Sequence, residues 1–265
     1  MKDENELRQD LVDAYLTVDK RGLMNQASGN VSCRFRDGML ISPSGADAEN
    51  ISADRVVYVD GEGNYSGDIK PSSEWRMHLS IYKKQESANA VVHTHSDYCV
   101  ALACHNLPLP GFHYMVGLFG NTHVPCVPYA TFGTQELGDG AANALTHQAV
   151  CLLGNHGMIA RGANFKVAID HAERLEIICK HYVLSRTLGE PDYLTDEQWD
   201  VLKKFIKNTY PDFRKIINEV QKYCRDNTLK IKSTDNCETF AKNIIELIDK
   251  GAVLKLRKHI IENED

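Results

Sequence analysis

Ala90-Val91-Val92-His93-Thr94-His95 is the stretch whose reading decides this chain. The apolar residues before the pair mark a buried strand. Side chains on a strand alternate faces, so residues two apart point the same way. His93 and His95 therefore leave the end of one rigid element together. Two converging imidazoles suit a first-row transition metal, most often zinc. A second apolar run ends in Leu153-Gly154-Asn155-His156-Gly157, which makes His156 a third candidate ligand. Three imidazoles leave one corner of a tetrahedral ion open, as in a catalytic site. Chance is the competing explanation, because the chain holds 11 histidines. His78, His105, His113, His123, His147, His171, His181 and His259 lack comparable context and read as surface or hydrogen-bonded side chains.

Upstream, Pro71-Ser72-Ser73-Glu74 has the form of a helix start, with the helix running to about Lys84. Two serines there place two hydroxyls beside unpaired backbone N–H groups, which suits a phosphate. Serine is also a common N-cap for purely structural reasons. Glu74 falls in the first turn, where a carboxylate complements the helix dipole. If that helix start faces a metal, the same group can act as a general base. Ala27-Ser28-Gly29-Asn30 and Ser42-Pro43-Ser44-Gly45 are small polar loops that could offer donors to an oxyanion, or simply turn the chain.

The remaining elements follow from periodicity and punctuation. Leu7, Leu11, Ala14, Tyr15 and Val18 lie on one helical face, stopped by Gly22. Runs at 31–35 and 39–42 flank Arg36-Asp37-Gly38, a hairpin signal, and 55–60 reads as a further strand. A helix from Ser96 to about Cys104 follows the central strand. Residues 106–133 read as loop with a short strand near 124–127. Thr134 to Thr146 suits a helix, 150–155 and 158–161 strands, and Asn164 caps a long helix. Thr195 to Gln198 has the form of a capping box. The mixture predicts an α/β fold around a mixed sheet. Beyond about Phe213 three helical stripes carry no metal or phosphate motif. The expected division is a main domain at 1–212 and a helical C-terminal extension at 213–265.

Composition bounds the chemistry. Hydrophobic residues at 43% and charged residues at 25% describe an ordinary water-soluble globule. The net charge of −6, with no basic cluster, argues against nucleic-acid binding, and no apolar run is long enough to span a bilayer. The eight cysteines contain no Cys-x-x-Cys pair, and the charged start lacks the apolar core of a signal peptide. Free thiols in a reducing cytoplasm are expected.

Six stretches taken in order carry a resemblance: Ser28-Gly29-Asn30-Val31-Ser32, Asp37-Gly38-Met39-Leu40-Ile41, Pro71 to Arg76, Ala90 to His95, His113-Tyr114-Met115, and Pro128 to Thr134. Over roughly residues 5 to 212 the chain resembles the class II aldolase and adducin-head superfamily, most closely its members that cleave L-fuculose 1-phosphate. The resemblance implies a three-layer α/β/α sandwich and a homotetramer whose active sites lie between subunits. It implies one Zn2+ per subunit on His93, His95 and His156, and Glu74 as the acid/base. It assigns Asn30, Ser44, Gly45, Ser72 and Ser73 to the phosphate of a sugar-phosphate substrate, and Tyr114 to the site of an adjacent subunit. Two departures stand out. Relatives often carry threonine at Ala27, whose phosphate contact Ser28 would have to replace, and Tyr210 is the match for a tyrosine lining the aldehyde side. The same fold also hosts 5-deoxyribulose- or methylthioribulose-phosphate enzymes, ribulose-phosphate 4-epimerases, and non-enzymatic adducin heads that lack the full metal set. Cupins share His-x-His but are all-β barrels, unlike this helix-rich pattern.

Overall fold

The computed structural model describes residues 3–25 and 28–209. Ala27, Tyr210 and the expected extension at 213–265 lie outside the described residues. Residues 2 to 202 form one compact unit. Its centre is a seven-stranded sheet of β1 (Asn30–Phe35), β2 (Gly38–Ile41), β3 (Val57–Val59), β4 (Ala90–Thr94), β5 (Cys126–Val127), β6 (Val150–Leu153) and β7 (Gly157–Gly162). The strands lie in the order β3-β2-β1-β4-β7-β6-β5. All neighbours are antiparallel except β5 and β6, so the sheet is mixed, as expected.

Helices cover both faces. α1 (Glu4–Lys20), α3 (Asp97–Ala103) and α5 (Phe165–Arg186) pack on one face; α2 (Trp75–Lys84) and α4 (Gln135–Ala144) pack on the other. The alternation along β4 shows why three layers form. Ala90 and Val92 enter the α1/α3/α5 core, while Val91 enters the α2/α4 core, and all three are buried. Each buried valine contributes about 1.5–3 kcal/mol, which places the strand at the centre of the sheet.

Helix ends match the sequence signals. Asp3 and Glu6 close a capping box on α1, and Gly22 turns the chain with φ 70° just beyond it. Thr134 caps α4 and Asn164 caps α5. Thr195 and Gln198 exchange hydrogen bonds ahead of α6 (Asp196–Thr209), whose Trp199 is buried in the core. Beyond shifts of a residue or two at element ends, three features differ from expectation. Ala53–Arg55 is a 3-10 turn, so β3 is shorter than 55–60. Tyr114–Phe119, inside the expected loop, is also 3-10. Glu74 is the N-cap residue of α2 rather than part of its first turn, and its carboxylate does not bond the helix end. That carboxylate is spent elsewhere.

Candidate metal centre

Three central strands and two turns bring the candidate ligands together. His93 is the fourth residue of β4, opposite Asn30 on β1 and Ile159 on β7. His95 follows one residue past the strand end and shares the face of His93, as alternation requires. His156 sits in the turn between β6 and β7. The turn depends on Asn155, which adopts φ 52°, a left-handed conformation that asparagine tolerates. Its N–H donates to the Ala103 carbonyl, and its side chain bridges Asn106 and the Cys104 carbonyl. Gly157 completes the turn, because a Cβ there would stand 2.5 Å from the Thr94 oxygen and 3.0 Å from the His95 ring.

The three imidazole centroids lie 4.7–4.9 Å apart. His93 donates from Nδ1 to the Met158 carbonyl at 2.7 Å, which turns its Nε2 inward. That Nε2 is 3.0 Å from His95 Nε2 and 2.9 Å from Glu74 Oε2. Glu74 Oε1 is buried, has no hydrogen-bond partner, and lies 3.4 Å from His156 Nε2. One donor atom from each of Glu74, His93, His95 and His156 falls within a 4.8 Å span. Nitrogens on a tetrahedral ion at about 2.0–2.1 Å lie about 3.3 Å apart, close to the spacing seen here. Three inward-facing nitrogens and an orphaned buried carboxylate oxygen form a donor set that fits a divalent cation.

The charges in the cluster are strongly coupled. Burial pushes the Glu74 carboxyl up, but the His93 imidazolium and its hydrogen bond outweigh this and hold it well below the carboxylate range. Burial works against the charge on His93, yet the Glu74 carboxylate raises it above the ordinary histidine value. Burial, helped by the positive charge of His93, draws His95 and His156 down to about 4. At neutral pH the latter two rings carry free lone pairs, which is the form a metal needs.

The cluster forms part of the wall of a cleft of about 350 Å³. Ser28, Asn30, Ser44, Gly45, Ser72 and Ser73 all line it, together with Glu74, His95 and His156. His93 stands behind the wall, fully buried. The serine corner is more self-satisfied than the sequence suggests. Ser72 Oγ accepts the Glu74 N–H, Trp75 N–H goes to the Ser72 carbonyl, and Ser44 N–H goes to the Lys70 carbonyl. The serine hydroxyls are therefore the more available donors. Tyr114 does not line the cleft; it is 55% exposed and stacks on His113 at 4.8 Å. Sequence reasoning gave no role to Tyr129 and Phe132, which rim the cleft with 59% and 64% exposure. Their signal lay in the Pro128-to-Thr134 stretch, where two aromatics stand in a small-residue loop.

Residues 9–183 match the model of the Class II Aldolase and Adducin N-terminal domain family. The chain belongs to this family. An L-fuculose phosphate aldolase from Escherichia coli is 40% identical over 205 residues, covering 77% of this chain and 95% of that protein. A 5-methylthioribulose-1-phosphate/5-deoxyribulose-1-phosphate aldolase from Rhodospirillum rubrum is 42% identical over 207 residues, covering 78% and 93%. A solved structure of L-fuculose 1-phosphate aldolase superposes with a TM-score of 0.72 at 36% identity, covering 76% of this chain and 96% of that one. As a class II aldolase the chain is an enzyme of a metal-dependent kind, and the Glu74 and three-histidine group is where its donors for a metal converge.

Proposed function

We propose that this class II aldolase reversibly cleaves L-fuculose 1-phosphate into dihydroxyacetone phosphate and L-lactaldehyde, using one Zn2+ per subunit. The observation that carries the reading is the Glu74–His93–His95–His156 cluster, with Glu74 and His93 buried, opening into a cleft lined by Ser44, Ser72 and Ser73. His93, His95 and His156 hold the cation, which when bound supplies Lewis acidity to the substrate's carbonyl side. Asn30, Ser44, Gly45, Ser72 and Ser73, with Ser28 beside them, bind the phosphate and fix the sugar in register. Glu74 moves the proton at the carbon freed by bond cleavage, and its burial keeps bulk water from competing. Tyr114, exposed and away from its own chain's cleft, suits a role in the site of a neighbouring subunit in a homotetramer, protonating the aldehyde-derived oxygen. Tyr210 is assigned to the aldehyde side on resemblance alone.

The cytoplasm is the proposed compartment. No helix among the described residues is long and apolar enough to cross a membrane, and the six described cysteines are free thiols. A second reading, an aldolase for 5-deoxyribulose or methylthioribulose 1-phosphate, is favoured by the Rhodospirillum rubrum relative, whose 42% identity stands beside the 40% of the Escherichia coli fuculose enzyme. These substrates differ at the aldehyde end, and Tyr129 and Phe132 are exposed aromatics on the cleft wall that could meet it. Turnover of the three ketose 1-phosphates by purified protein, read as dihydroxyacetone phosphate released, decides between them. Release from L-fuculose 1-phosphate at the highest kcat/KM is expected. Release confined to another substrate moves the assignment, and none from any of them overturns it.

Zn2+ affinity is expected to fall with acidity in a definite pattern. A metal must displace the proton that Glu74 holds on His93, whose value is raised, whereas His95 and His156 protonate only near pH 4. Below the His93 value affinity drops about tenfold per pH unit, and the slope steepens only near about pH 4. Competition titrations with a chelator across that range give the slope. A flat profile down to about pH 5 contradicts the coupling.

A further inference from the structure

Behind the cluster, a buried relay of hydrogen bonds leads from Tyr82, in the last turn of α2, to Glu74. The Tyr82 hydroxyl lies 2.8 Å from Ser32 Oγ, and Ser32 Oγ lies 2.6 Å from His78 Nδ1. His78 Nε2 is 2.5 Å from Asn30 Oδ1, and Asn30 Nδ2 donates to Glu74 Oε2 at 3.2 Å. All five side chains are buried, and His78 is fully so. The relay arises because Asn30 and Ser32, alternate residues of β1, both face α2, where Glu74, His78 and Tyr82 are one turn apart.

Donors and acceptors allow one direction only. An ionised carboxylate accepts and cannot donate, so the amide N–H of Asn30 must face Glu74. Its carbonyl then faces His78, so Nε2 of that ring must carry a hydrogen. Burial keeps the ring neutral, drawn down to about 3, so Nδ1 is bare and accepts a hydrogen bond from the Ser32 hydroxyl. Ser32 in turn accepts from Tyr82. With the amide reversed, its oxygen would oppose the carboxylate at 3.2 Å, a repulsive pairing in a low-dielectric site.

We propose that His78 is a positioning residue: its Nε2–H locks the amide of Asn30, which pins Glu74 Oε2 and leaves Oε1 directed into the cluster. Substrate never touches His78. Its effect passes through Asn30 to the angle at which Glu74 meets the cation and the reacting carbon. The inference rests on the role proposed above for Glu74. A relay that merely fills the space between β1 and α2 would not depend on which ring nitrogen is replaced.

Two substitutions separate these cases. His78→Gln carries an N–H to the position of Nε2, whereas His78→Asn reaches only the position of Nδ1 and leaves Asn30 Oδ1 without its donor. Purified holoenzyme of each is compared for Zn2+ affinity by chelator competition, for kcat and KM, and for melting temperature. Expected is a glutamine variant within about threefold of the parent, and an asparagine variant about 10–100-fold lower in Zn2+ affinity, kcat or both at unchanged KM. A neutron structure of the parent protein is expected to show deuterium on Nε2 of His78 and none on Nδ1. Equal Zn2+ affinity and kcat in the two variants, or deuterium on Nδ1 alone, overturns the proposal. Should either variant fail to fold, the neutron map still decides. If the parent turns over no L-fuculose 1-phosphate, the substrate assignment falls, while the Zn2+ affinities still test His78.

Discussion

His156→Ala is expected to strip the cation from the protein and lower turnover at least about a hundredfold. His156 sits at the cleft wall in the β6–β7 turn, and its side chain is 10% exposed. The turn itself is held by Asn155 and Gly157, so the backbone does not need the ring. The metal-free variant should therefore melt within a few degrees of the metal-free parent. Metal analysis after dialysis, paired with a thermal scan, checks both halves. Retention of a full equivalent of Zn2+ would remove His156 from the ligand set.

Glu74→Gln carries the second large effect. Glutamine matches the shape and keeps an oxygen for the Asn30 N–H, so the local packing should survive. It abolishes the negative charge beside His93 and the capacity to take a proton. The expected loss in kcat is about 10²–10⁴-fold, the range for removing a positioned general base, with KM changed only a fewfold. The charge change has a second signature. Without the carboxylate, burial dominates at His93 and its proton is lost more readily, so the acid-side fall in Zn2+ affinity moves to lower pH. A kcat within about tenfold of the parent would show that Glu74 is not the proton carrier.

The candidate ligands were readable because strand geometry leaves little choice. An apolar run ending in His-x-His puts both rings on one face, and the structure places His93 and His95 there. His156 was readable from the same grammar, an apolar run meeting a small-residue turn. The serine corner was legible in outline, but not the internal bonds that occupy its backbone donors. What alternation hid was the relay. In β1, Asn30, Ser32 and Arg34 alternate with Val31, Cys33 and Phe35, a pattern that reads as one wet face. α2 covers that face instead, so Asn30 and Ser32 are buried with His78. Only the partner helix reveals this, since a polar residue in a core is permitted once every group is paired. The 3-10 turn at Tyr114–Phe119 escaped for a different reason: it is short and set among glycines and prolines, without the repeat that betrays an α-helix.

The register of β4 against β7 has a consequence for how the protein acquires its metal. That pairing sets His93 opposite Ile159 and Thr94 opposite Met158, and the Met158 carbonyl orients the His93 ring. A slip of one residue would turn His93, and with it His95 just past the strand end, to the opposite side. In a chain whose central strands are unpaired, His93 and His95 are not held beside His156 and Glu74, and the four-donor set does not exist. Capture waits for the middle of the sheet to close. Each tenfold excess of free metal over its dissociation constant then adds about 1.4 kcal/mol to the closed state, so occupancy doubles as a seal on correct assembly.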